Sequence, residues 1–182
     1  MKSSVSINKS KGVSGEGLID RLLAERHSLQ QTERIAREIG ESSLLFGSLM
    51  RRYLGEDPVL AQRAAWVMSK VACRHPGLMR PWWKKALQRS RRPCHDAIRR
   101  NLLKVLECSG VPEAHESEVL EACLGWLADR SQPIAVHAYA LTIVHAMVQR
   151  YPELEGEFKA VAGLLREKAS PGLRSRLRKL GL

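Results

Sequence analysis

Apolar residues recur along this chain at helical spacing, not at the alternation a strand requires. Leu78, Trp82 and Ala86 with Met79, Trp83 and Leu87 form one stripe; Val119, Leu120, Cys123, Leu124 and Leu127 form a second; Leu154, Phe158, Val161 and Leu165 form a third. Each predicts a helix with one buried face. The segments that follow Pro58 and Pro133 differ, being apolar on nearly every side, as in Ala61, Ala64, Ala65, Val67, Met68, Val71 and Ala72. Such helices need cover on two flanks, which predicts an inner position between neighbours. Upstream, 43–54 reads as the outer helix preceding Pro58, and 17–25 and 32–39 as two shorter helices. Residues 1 to about 15 carry Ser, Gly and Lys without periodicity and are expected to form a disordered tail.

The eight prolines punctuate this pattern. Pro58, Pro93, Pro133 and Pro171 are separated by 35, 40 and 38 residues, and a second proline follows the first three at 18, 19 and 19 residues, at Pro76, Pro112 and Pro152. Proline suits the first position of a helix, where its missing N–H has no partner to lose and its φ is already helical. The first series therefore predicts four helix starts, with Asp57 and Ser170 as N-caps, while Arg92 and Gln132 are poorer caps. The second series ends one helix and admits the next. The unit is a helical hairpin of roughly 40 residues, which buries its apolar face only by stacking on its neighbours.

The residues that carry the unit also carry a resemblance. Asp57-Pro58 leading into Ala61-Gln62-Arg63-Ala64-Ala65, and Pro133-Ile134-Ala135-Val136 leading into Ala138 and Ala140, resemble the second helix of HEAT repeats. More narrowly, 60–66, 133–136 and 151–154 are similar to a group of small bacterial HEAT-like proteins without an established activity. The middle unit departs from the motif at Cys94-His95-Asp96, where small residues are preferred, and the last unit is short. The resemblance implies an all-α, right-handed α–α superhelix of about four pairs (43–74, 77–108, 113–150 and 153–180) behind a short N-terminal helical cap. These make a single domain over 16–182, with a habit of binding and no particular activity.

Composition narrows the function classes. Hydrophobic residues are 44% and charged residues 27% of 182, so the chain folds, and its size lets it do so without staples. Cys73, Cys94, Cys108 and Cys123 sit in apolar helical patterns and are expected to be reduced and mostly buried. The longest apolar stretch, Ile134 to Val148, spans 15 residues and contains His137 and His145, too short and too polar to cross a bilayer. The N-terminus lacks the apolar core of a secretory signal, so a cytoplasmic address is the expectation.

A formal charge of +11 favours acidic partners, and the charge is segregated. Twelve Lys and Arg lie between Pro58 and Leu106 with Asp96 as the one acid, whereas 107–129 holds six acids and no Lys or Arg. Arg63, Lys70 and Arg74 fall at i, i+7 and i+11, and Arg100 and Lys104 at i and i+4, so each set shares a helical face. With the proline-opened helices on the inner curve, as HEAT arrays imply, Arg63, Lys70, Arg74, Arg99, Arg100 and Lys104 line a basic face, continued by Thr142, His145 and Gln149. The partner is either nucleic acid or an acidic protein segment. A scaffold for proteins alone is the second reading. The tryptophans Trp66, Trp82, Trp83 and Trp126 read as core, with one of the adjacent pair left for exposure.

Catalytic signatures are missing. Gly15-Glu16-Gly17 lacks a third glycine and a preceding strand, His115-Glu116 meets Val119 where a zinc site needs histidine, and no Gly-x-Ser-x-Gly occurs. Cys73 with His75 point apart on a helix, and Cys94 with His95 are no better placed. No metal, cofactor or small-molecule substrate is expected. HEAT-like folds include DNA alkylation repeat glycosylases, and by that resemblance Trp126 with Asp129, or Asp96, is a third reading. Non-catalytic binding is the expectation.

Overall fold

The computed structural model describes residues 15–167 and 169–182, so the expected N-terminal tail lies almost wholly outside the described residues. In chain order the α-helices are α1 (Gly15–Ala24), α2 (Leu29–Ile39), α3 (Ser43–Leu54), α4 (Pro58–Arg74), α5 (Trp83–Arg91), α6 (Asp96–Ser109), α7 (Glu116–Ala128), α8 (Ile134–Val148), α9 (Glu155–Glu167) and α10 (Pro171–Lys179). No strand occurs among the described residues.

The helices sort into two rows. Even-numbered helices pack on one another in the order α2, α4, α6, α8, α10, and odd-numbered ones in the order α1, α3, α5, α7, α9; α3 and α4, α5 and α6, α7 and α8, and α9 and α10 pack across. This is a solenoid of stacked helix pairs, and α1 and α2 extend both rows as the N-terminal cap. Between the rows α3 packs on α4, and the buried residues of the pair include Phe46, Leu49, Met50 and Tyr53 on α3 and Ala61, Ala64, Ala65 and Met68 on α4. Alanine at those positions lets α2, α3 and α6 approach α4 together. The all-round apolar pattern of α4 and α8 thus has its expected cause.

Proline acts as the spacing predicts at three of its four starts. Pro58 occupies the first turn of α4, where Asp57 accepts hydrogen bonds from Val59 N and Leu60 N at 2.9 Å. Pro171 does the same in α10, with Ser170 accepting from Leu173 N at 3.3 Å, and Pro133 stands immediately before α8. Pro93 differs. It forces Arg92 into extended backbone (ψ 162), and α6 begins three residues later, where His95 Nδ1 accepts from Ala97 N at 3.1 Å. A side chain with a free acceptor displaced proline as the start. The second series opens short 3-10 turns, Pro76–Trp82, Glu113–His115 and Pro152–Leu154. Pro81 blocks α-helical continuation in the first of these, so α5 starts only at Trp83.

The cysteine expectation requires correction. Cys73 and Cys108 form a disulfide, Cα atoms 5.7 Å apart, joining the C-terminal ends of α4 and α6; Cys94 and Cys123 are free. The two bonded residues are 35 apart, one repeat period, so the stacking that aligns α4 with α6 brings equivalent positions face to face. Burial pushes the Cys123 thiol up to about 12 and raises that of Cys94 as well.

Candidate functional site: a basic band on the even row

The even-row helices carry a band of charged side chains that runs across α2, α4, α6, α8 and α10. Glu33 of α2 accepts from two residues of α4: Lys70, whose Nζ lies 2.6 Å away, and Arg74. Those two hydrogen bonds, Lys70 first, hold the Glu33 carboxyl at about 2, far below an ordinary glutamate. Next along the row stands Lys104 of α6, half-buried, its ammonium disfavoured first by burial and then by the charge of Lys70, with Arg100 adding to the effect and Glu33 and Glu107 opposing it. Arg100 is exposed. Further on, Arg176 of α10 reaches over α8, donating to Glu107 Oε1 at 2.8 Å and to Thr142 Oγ1 at 2.9 Å. Tyr139 of α8 lies beneath, its hydroxyl pKa raised by burial and by Glu107.

Of the six cations expected on this face, Lys70, Arg74, Arg100 and Lys104 converge on it. Arg63 lies on the same side of α4, yet its Nη1 donates to Leu23 O at 2.7 Å and Glu25 O at 3.2 Å, satisfying the last carbonyls around the end of α1. Arg99 is turned away from the band by about 100° per residue of helix. It braces the turns on the other side, through Nε to Ser90 O at 3.1 Å and Nη1 to Gln132 Oε1 at 2.6 Å, with its guanidinium 5.3 Å from the centre of the Trp126 ring. Thr142 continues the band, while His145 turns to Phe158 of α9, ring centres 6.1 Å apart.

Three members of the band were not apparent in the sequence. Glu33 and Arg176 are remote from the central segment, and Glu107 opens the acidic stretch. The tryptophans follow the core expectation in part: Trp83 and Trp126 are buried, Trp82 is half-buried, and Trp66 is half-buried on the even row with its ring edge-on to His27 at 4.9 Å. Trp126 and Asp129 of the glycosylase reading are otherwise engaged, while Asp96 is exposed at the start of α6. Asp129 closes the α7–α8 turn, accepting from Ser131 N at 2.9 Å, Ser131 Oγ at 2.7 Å and Gln132 Nε2 at 2.6 Å, and these bonds hold it at about 2.

A model of the HEAT repeat domain matches residues 19–180, and the chain belongs to that family. HEAT arrays are interaction scaffolds. No curated protein and no solved structure matches the chain. Among the described residues, no helix is long and apolar enough to cross a membrane.

Proposed function

We propose that the protein is a non-catalytic scaffold whose even-row band docks an acidic segment of a partner protein. The observation that carries this reading is the environment of Lys104, a half-buried cation whose charge is disfavoured by burial and by two neighbouring cations. An incoming carboxylate relieves that penalty, and the desolvated setting makes the pair stronger than one on open surface. Half-buried Trp66 and Tyr139 flank the cations and supply the aromatic surface that protein interfaces favour, which a bare phosphate backbone does not need. The commitment of Asp129 and Trp126 to internal contacts favours binding over glycosylase chemistry.

The test is fluorescence anisotropy with a labelled peptide rich in Glu and Asp, against the same peptide with Gln and Asn. Binding of the acidic peptide alone, weakened about tenfold by Arg100→Gln with Lys104→Gln, is the expected result. Nucleic acid bound through Arg100 and Lys104, with no peptide binding, replaces this reading by its nucleic-acid form.

A further inference from the structure

We propose that α5 and the turns beside it form a second docking strip, facing away from the even row, that takes the phosphodiester backbone of nucleic acid. This goes beyond the scaffold reading and does not rest on it.

Trp83, Ala86, Leu87 and Ser90 bury one face of α5, and that leaves Arg80, Lys84, Lys85, Arg91 and Arg92 exposed on the other. Lys84 and Arg91 follow at i and i+7, so they share a side of the helix, and Arg92 follows directly in extended backbone. Only Arg91 has an ion-pair partner among the described residues, Glu121 of α7 at 2.5 Å, and that carboxylate is itself 73% exposed. No Asp or Glu occurs from Pro58 through His95. The strip is therefore positive with almost nothing nearby to neutralise it.

Its chemistry distinguishes between partners. The large exposed apolar side chains of the described residues, Leu29, Leu44, Val59, Ile134 and Leu164, all lie on other helices. A protein interface draws most of its affinity from several buried apolar and aromatic anchors; the strip has one half-buried ring, Trp82, and Lys85 stands over it. Backbone binding to nucleic acid needs cations and their released counterions, and nothing apolar. The length also suits: the seven steps from Lys84 to Arg91 cover about 10.5 Å of helix axis, against about 3.4 Å of axial rise per nucleotide. The presentation is rigid, because the Trp82 ring is packed within 3.6 Å of the position a side chain on Gly47 would take and Lys85 Nζ lies 5.8 Å from the centre of that ring.

The experiment measures binding of a labelled 20-bp DNA duplex to the full chain at several salt concentrations. Lys84→Gln, Lys85→Gln and Arg92→Gln together are expected to weaken duplex binding at least tenfold and to reduce the slope of log K against log salt by about 2 to 3. The charge-keeping set Lys84→Arg, Lys85→Arg and Arg92→Lys keeps both near the parent values. Arg100→Gln with Lys104→Gln leaves duplex binding intact, whatever it does to an acidic peptide. Absence of duplex binding at low salt, an unchanged slope in the Gln set, or loss of duplex through the even-row pair alone would overturn the proposal.

Discussion

The even-row band and the α5 strip are both basic, yet they are built differently. In the band, Lys70, Arg74 and Arg176 are held by Glu33 and Glu107, Lys104 is half-buried, and Trp66 and Tyr139 lie among them. In the strip, four of five exposed cations have no ion-pair partner among the described residues, and one ring, Trp82, lies under Lys85. The first is a structured polar surface able to read the shape of a segment. The second is a field. Equal positive charge in two stretches of sequence thus implies different partners, because what surrounds each cation sets its desolvation and its competition.

Several changes break or sharpen this contrast. The largest effect belongs to the clamp that joins the two helices of the band. Cys73→Ser with Cys108→Ser removes a cross-link over 35 residues, for which loop entropy gives about 3 to 4 kcal/mol of stability. Denaturant unfolding checks this, and peptide affinity is expected to change less than about threefold where the protein stays folded, since packing already aligns α4 and α6. Next comes Lys70→Glu with Lys104→Glu, expected to cost the acidic peptide about 2 kcal/mol, or about 30-fold. The corresponding reversal on α5 leaves peptide binding in place.

A pH series sharpens the account of the band. Lys104 has a lowered pKa in the free protein, and a bound carboxylate favours its charged form, so its pKa rises in the complex. Between the two values binding takes up a proton, and affinity for the acidic peptide falls as pH climbs through that window. Calorimetry in buffers of different ionisation enthalpy would show that proton uptake. Smaller effects come from the carboxylates. Glu33→Gln removes a competitor from the band and is expected to raise peptide affinity about threefold, while Glu121→Gln frees Arg91 and raises duplex affinity about twofold, in keeping with the modest worth of exposed pairs.

Much of the fold was legible in the sequence. Asp57-Pro58 and Ser170-Pro171 carry their own start signals, and the all-round apolar pattern of 61–72 demands two-sided cover, so local chemistry and stacking agree there. Proline spacing puts the start of α6 at Pro93, three residues before the start that the His95 cap sets. Each cysteine read against its own helix predicts a reduced thiol, whereas the disulfide depends on the stacking that aligns positions one repeat period apart. The band was half visible. Helical spacing put Lys70 with Arg74 and Arg100 with Lys104, but it cannot say that Arg63 and Arg99 are used by nearby carbonyls and by Gln132, nor that Glu33 crosses from α2. Partners contributed by other helices depend on how the rows dock. For the same reason the segment 76–92, read for its aromatic stripe, did not show its outward cations as a separate surface.

One titration addresses the pair of surfaces together. With labelled acidic peptide bound to the full chain, addition of unlabelled DNA duplex should raise the anisotropy further as a ternary complex forms. Release of the peptide, with anisotropy falling to that of the free label, would mean that both ligands compete for one face and would contradict the account.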